Sequence, residues 1–356
     1  MKFLKKIPIY GVSLSLLLMA SSSNASHHFE AASFLEDTRL AQVDNYIFPS
    51  SEKNYTSIIM TINYDPKLGA NGIFSPEAIY NVHLPTNPEL TQGKTFSIKF
   101  LADHYDVYQL DTPNPKPGVI GEKIGEGTIG QTSILKNRIK SFAGAVKDPF
   151  YGNAIALEVF RKDNLEGKYN PNVWKEANHQ NVFEGRRVGA IVLDVPNSLL
   201  GKDVYAFFTT DRIANEKWEQ VQYSARPLFS HTMLFDSNTL RQAHDSSRPN
   251  ALYNEDMVNL VSARILRGTT LANPNKAKII EYADSTAKKL IPDVLQYKVG
   301  TLTSYTPNSL NGRGLGDDAM STMLTFLLGE QTNQEISNQK AYTPNFPYLI
   351  KVRLEN

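Results

Sequence analysis

Tyr55-Thr56-Ser57-Ile58-Ile59-Met60-Thr61-Ile62-Asn63-Tyr64 sets the reading of the fold. β-Branched and aromatic side chains crowd this stretch, and turn formers bracket it, Asn54 before and Asp65-Pro66 after, which is the pattern of a strand. The same alternation of apolar run and Pro, Gly, Asn or Asp punctuation recurs at residues 79–84, 95–101, 107–110, 155–160, 188–195 and 204–209. Short strands at such regular intervals point to a β-sandwich or barrel. Asp-x-Tyr-x-hydrophobic opens at Asp44, Asp106 and Asp203 and reads as three strand starts of similar design.

Past residue 235 the period changes. Met257, Leu260, Val261, Ile265 and Leu266 recur at helical intervals, as do Ile279, Ile280, Ala283, Ala287 and Leu290, and a third helix is expected over residues 317–328 with Met320, Met323, Leu324 and Leu327 on one side. The expected fold is therefore α+β, a mostly antiparallel β-sandwich-like body with a helical C-terminal layer. One globular domain is expected over residues 26–356, β-rich over 26–235, helical over 236–345 and closed by a strand over 346–356. The Pro-rich stretch 111–118 reads as a surface loop, because proline fixes φ and removes a backbone donor.

The N-terminus has the form of a cleavable secretory signal. Lys2, Lys5 and Lys6 precede an apolar run over residues 7–20, too short for the roughly 20 residues a bilayer span needs. Ser23 and Ala25 are the small residues that a signal peptidase accepts, so cleavage is expected after Ala25. The expected location is periplasmic or secreted. Loss of residues 1–25 leaves 331 of the 356 residues and takes the formal charge from +1 to −2, since that segment carries three lysines and no acids. A nearly neutral chain offers no concentrated basic face for nucleic acid, and the mature chain has no apolar run long enough for a membrane span. With no cysteine, thiol catalysis, disulfides and lipid acylation at an N-terminal cysteine are all excluded.

No common hydrolase signature is present. Gly125-Glu126-Gly127-Thr128-Ile129-Gly130 matches the glycine spacing of a dinucleotide loop, but no buried strand precedes it and no apolar helix follows, so it reads as a Gly-rich turn. Asp103/His104 and His244/Asp245 read as hydrogen-bonded surface pairs. Cleavage after Ala25 would create the terminus Ser26-His27-His28, whose amine, backbone amides and imidazole form a nitrogen donor set suited to square-planar Cu(II) or Ni(II). Glu30, Asp37, Asp44, Asp317 and Asp318 are candidate oxygen ligands for a hard divalent cation. For Asp317 and Asp318 a capping role at a helix N-terminus competes with that assignment. Arg313 is the candidate anion-binding residue.

Several segments together resemble a bacterial exported family catalogued as a domain of unknown function, whose mature chains typically begin Ser-His-Arg-Glu-Ala-Pro. They are the opening Ser26-His27-His28-Phe29-Glu30-Ala31-Ala32, Asp44-Asn45-Tyr46-Ile47-Phe48, Asp148-Pro149-Phe150, Ala190–Pro196, Pro292-Asp293-Val294-Leu295, Asn311-Gly312-Arg313 with Asp317-Asp318, and Phe346-Pro347-Tyr348-Leu349. This chain departs from the family in the opening motif, where the arginine is replaced by His28 and the proline by Ala32. The resemblance implies export and a single domain, and it marks the opening motif and residues 311–318 as positions to test together. The leading functional expectation is an exported binding or structural protein with a candidate metal site. The alternative is a metal-assisted hydrolase using His27, Glu30, Asp317 and Asp318, with Arg313 holding an anionic group.

Overall fold

A computed structural model describes residues 37–176, 180–249 and 251–353, without the side chains of 251–253. The signal segment and the candidate ligands Ser26, His27, His28 and Glu30 lie outside the described residues. Among those described, the strands form two main antiparallel sheets and a small hairpin. The first sheet has the order β1-β2-β9-β8-β7, from β1 (Gln42–Pro49), β2 (Tyr55–Asn63), β7 (Thr132–Ile134), β8 (Lys140–Lys147) and β9 (Arg187–Pro196). The second has the order β11-β10-β3-β4-β5-β6, with β12 also pairing to β10. Its members are β3 (Ala78–Pro85), β4 (Gly93–Phe100), β5 (His104–Leu110), β6 (Glu122–Thr128), β10 (Asp203–Ala214), β11 (Lys217–Ser224) and β12 (Leu295–Lys298). β13 (Ser304–Thr306) and β14 (Ser309–Asn311) form the hairpin. The α+β class and the sandwich-like body expected from the sequence are present.

The two-residue period explains how the sheets stack. Ile58, Met60 and Ile62 of β2, with Ile191, Leu193 and Val195 of β9, share one core with Tyr80, Val82, Phe96, Ile98 and Val107 of the second sheet. The intervening Ile59, Val188, Ala190 and Val192 face the other way, into a second core with Val43, Tyr46, Leu315, Tyr348 and Leu349. β2 is therefore buried along its whole length, and its sequence is a nearly continuous apolar run for that reason.

The C-terminal segment covers this outer face. Tyr348 Oη donates to the buried Asp194 carboxylate at 3.0 Å, which also accepts from Ser50 and Ser57 at 2.7 and 2.5 Å. Residues 350–352 run beside β8 through Lys147 N–H to Ile350 O at 2.8 Å and Val352 N–H to Ala145 O at 3.0 Å. They occupy the part of the β8 edge that the three-residue β7 does not reach. The expected closing strand thus takes the form of isolated bridges.

Seven helices occur among the described residues: α1 (Ala154–Leu165), α2 (Val173–Glu176), α3 (Phe229–Met233), α4 (Asn238–Asp245), α5 (Ala251–Ala272), α6 (Ile279–Leu290) and α7 (Ala319–Leu328). α5 and α6 bury Val261 and Ile265, and Ala283, Ala287 and Leu290, from the expected apolar stripes, whereas Ile280, expected on the same stripe, is exposed. α7 is buried on every side rather than along one stripe, as a helix enclosed by core must be. Two expectations need correction. Residues 155–160 are helical, started by Asn153, whose side chain accepts from Ala156 N–H at 3.1 Å. The stretch expected to be helical also contains β12, β13 and β14, each only three or four residues long. No helix among the described residues is long and apolar enough to cross a membrane.

Candidate functional site

The site grows from a glycine. Gly312 has φ +66°, and a Cβ there would come within 2.5 Å of Ile47 O, so only glycine lets the chain turn this close against β1. The turn sets Arg313 antiparallel to Ile47, with Arg313 N–H to Ile47 O at 2.8 Å and Ile47 N–H to Arg313 O at 3.2 Å. The guanidinium is thereby sent inward, and Arg313 is 1% exposed. One terminal nitrogen donates to Asp44 Oδ1 at 2.6 Å and to Asn45 O at 3.1 Å. The guanidinium carbon lies 4.2 Å from the centroid of the Tyr46 ring, a cation–π stack in a dry setting. Burial alone would lower the Arg313 pKa, but Asp44 and Tyr46 outweigh it and hold the pKa above the ordinary arginine value.

Two further residues that the sequence reading left unassigned complete the cluster. Asp148 follows β8; its Oδ1 accepts from Phe150 N–H at 3.0 Å, and its Oδ2 lies 3.7 Å from Arg186, beyond hydrogen-bond distance. Burial, opposed only in part by Arg186, pushes the Asp148 carboxyl up to about 7. Arg186 also donates to Asn63 Oδ1 at 2.9 Å, tying the cluster to the end of β2. Among the described residues, Tyr46 Oη, Asp148 Oδ2 and Arg313 Nε are buried here without a hydrogen-bond partner. Each costs about 1–3 kcal/mol where it stays unpaired.

Among the described residues, the other acids assigned to a cation, Asp37, Asp317 and Asp318, are engaged with chain donors. Asp37 caps a short 3-10 turn and pairs with Arg39 Nε at 2.8 Å. Burial would raise its pKa, but hydrogen bonds from Arg39 and Ser75 outweigh it and hold the carboxyl below the usual range. Asp317 accepts from Gly314 N–H at 2.7 Å, and burial pushes its carboxyl up. Asp318 is the N-cap of α7, accepting from Ser321 N–H at 3.0 Å, Ser321 Oγ at 2.7 Å and Gln334 Nε2 at 2.6 Å. Asp44 and Arg313 are therefore brought into contact, and Asp317 sits four residues after Arg313 in the same turn. Asp37 is held elsewhere, beside Arg39. Among the described residues no group of three or more His, Asp or Glu side chains is arranged to hold a metal ion. Arg313, the candidate anion-binding residue, is buried, with its guanidinium facing Asp44 and two aromatic rings, Tyr46 and Phe150. A surface depression of about 710 Å³ does open nearby, lined by Tyr151, Asp317, Asp318, Gln331 and Asn333, but Arg313 does not line it.

A second buried polar network lies on the far face of the other sheet, beneath the Pro-rich loop. His83 is fully buried and stacked on Phe207, with ring centroids 4.4 Å apart. Its Nδ1 and Nε2 each sit 2.9 Å from a threonine hydroxyl, Thr95 and Thr209. Thr95 gives its proton to Thr112 O at 2.7 Å, so Nδ1–H donates to Thr95 and Nε2 accepts from Thr209. Burial, with Arg248 nearby, holds the His83 pKa well below its ordinary value. Asp211 accepts from Asn81 at 2.9 Å and from Gly118 N–H at 3.0 Å, and Gly118 has a positive φ and lies where a Cβ would clash with the Trp218 side chain. Among the sequence's His–Asp pairs, Asp103/His104 is exposed at 2.9 Å. His244 is instead buried, and its imidazole faces Asp293 at 3.3 Å.

No protein-family model matches the chain, no curated protein matches its sequence, and no solved structure matches its fold.

Proposed function

We propose that this chain is exported and acts outside the cytoplasm as a binding or structural protein, related to the exported family its sequence resembles. The observation that carries this reading is the burial of Arg313. Its guanidinium is stacked between Tyr46 and Phe150 and bonded to Asp44 and Asn45, an arrangement suited to locking β1 onto the C-terminal third and poorly suited to receiving a substrate. The test is mass spectrometry and elemental analysis of protein recovered from the periplasm or medium. A chain starting at Ser26 without stoichiometric metal is expected; retention in the cytoplasm with an intact N-terminus would overturn export.

The alternative, a metal-assisted hydrolase, draws support from the depression beside Asp317 and Asp318. A stoichiometric metal lost on Asp317→Asn would favour it. Copper bound through Ser26-His27-His28 is read separately, by a d–d band on Cu(II) titration that vanishes when one residue is added before Ser26.

A further inference from the structure

Two surface depressions meet along a shared seam. The one beside Asp317, of about 710 Å³, and another of about 460 Å³ between α6 and α7 are both lined by Pro307, Asn308 and Gln331. Pro307 and Asn308 form the turn between β13 and β14, and Gln331 follows α7. The two depressions are therefore one groove, and its ends differ in charge.

At one end stand Lys276 and Lys289. Lys276 Nζ lies 4.3 Å from the centroid of the Tyr282 ring and donates to Gly329 O at 2.7 Å. Lys289 Nζ lies 5.1 Å from that of Phe326 and donates to Pro307 O at 2.5 Å. Each ammonium is thus fixed in place by one bond and keeps further N–H donors for a ligand. Glu330, the acid at this end, accepts from Tyr169 Oη at 3.3 Å. At the other end Asp317 accepts from Gly314 N–H through Oδ2 and keeps Oδ1, whereas both oxygens of Asp318 are bonded within the chain. Between the ends the amides of Asn308 and Gln331 are exposed and hydrogen-bond to nothing among the described residues.

Burial, with Arg226 nearby, lowers the Lys289 pKa, and burial raises that of Asp317. Each end is pushed toward its uncharged form, and a ligand charge of opposite sign would offset that push. An amide side chain presents a donor and an acceptor together, the pair that matches a peptide unit. A sugar ring would call for an open aromatic face, and the described rings of the groove offer none: Tyr151, Tyr305 and Phe326 are buried, and Lys276 lies over Tyr282.

We propose that this groove binds a short peptide with both termini free, its carboxylate held by Lys276 and Lys289, its peptide units by Asn308 and Gln331, and its ammonium by Asp317. Opposite charges at the two ends fix the direction in which the peptide lies. The inference deepens the binding reading above and rests on it, but not on where the chain works.

Equilibrium dialysis of the purified mature chain against an equimolar tripeptide library with free termini, read by mass spectrometry, tests it. The same library acetylated and amidated at its ends, and a mixture of neutral oligosaccharides, are run in parallel. Free-ended tripeptides are expected to accumulate with the protein and the capped library is not. Lys276→Gln and Lys289→Gln should each weaken retention on the order of tenfold. Asp317→Asn should remove the preference for a free amine. Asn308→Ala and Gln331→Ala should weaken retention at unchanged Tm, because their amides support nothing in the fold. Retention of no peptide, equal retention of the capped library, or retention of the oligosaccharides instead would overturn the inference, and none of these bears on export, which the mature N-terminus decides. Free-ended peptides held equally well by both lysine variants would overturn the seat assigned to the carboxylate.

Discussion

Asp44–Arg313 and Asp211–Arg248 are both aspartate–arginine pairs with a buried carboxylate, the first with a buried arginine and the second with a half-buried one, and they are built differently. In the first the charged atoms touch at 2.6 Å and the guanidinium lies on an aromatic face. In the second they stand 3.9 Å apart, and Arg248 directs its nitrogens to Gln220 Oε1 and Asn114 Oδ1, each at 2.8 Å, and to Pro115 O. The pKa directions follow. Asp44 holds Arg313 above the ordinary arginine value, whereas burial, incompletely offset by the distant Asp211, pulls Arg248 below it. The first arginine is an ionic tie between β1 and the turn before α7; the second is a hydrogen-bond hub holding the Pro-rich loop over His83. Contact geometry, more than residue type, decides which of these an arginine becomes.

The largest effect is expected where the ionic tie is broken. Arg313→Met leaves Asp44 buried and unpaired and should lower the unfolding free energy by about 3–5 kcal/mol in urea titrations. Next comes Asp148. Its folded pKa, about 7, lies above the ordinary aspartate value of 3.8, so its stabilising contribution is full below the lower value and is lost as pH rises through the higher one. Asp148→Asn should therefore flatten the stability–pH curve between those limits and gain about 2–4 kcal/mol over wild type at pH 8. Arg248→Met should cost less than Arg313→Met, about 1–3 kcal/mol. Its signature is local, faster amide exchange in residues 111–118. Asp318→Ala, which removes the α7 cap, should cost the least, about 0.5–2 kcal/mol. If Arg248→Met proved the costlier arginine change, the distinction between tie and hub would fail.

Much of the fold was readable because its physics is local. Each long apolar run bracketed by turn residues became a strand where both neighbours supply the period-two pattern, as in β2 and β9. Residues 155–160 misled because Ile155-Ala156-Leu157-Glu158-Val159-Phe160 suits a strand as well as a helix; what decides is the Asn153 cap and the continuation through Leu165. β12 escaped notice because four residues are too few to establish a period. The three Asp-x-Tyr motifs all fall in strands, β1, β5 and β10, but only Asp203 opens its own. The site was only half legible. Arg313 stood out beside Asn311-Gly312, yet its partner Asp44 lies 269 residues away, a pairing that no local pattern reveals. Asp148 was visible only as part of a short Asp-Pro-Phe turn, and nothing in the sequence says that burial will raise its pKa.

The most direct measurement is a double-mutant cycle on the tie, comparing Asp44→Asn, Arg313→Met and the double variant by urea unfolding at neutral pH. Removing both charges should be nearly as well tolerated as removing neither, giving a coupling of about 2 kcal/mol or more and a double variant more stable than Arg313→Met alone. Additive losses with no coupling would contradict the account, because Asp44 and Arg313 would then act independently and the cluster would not be an internal tie.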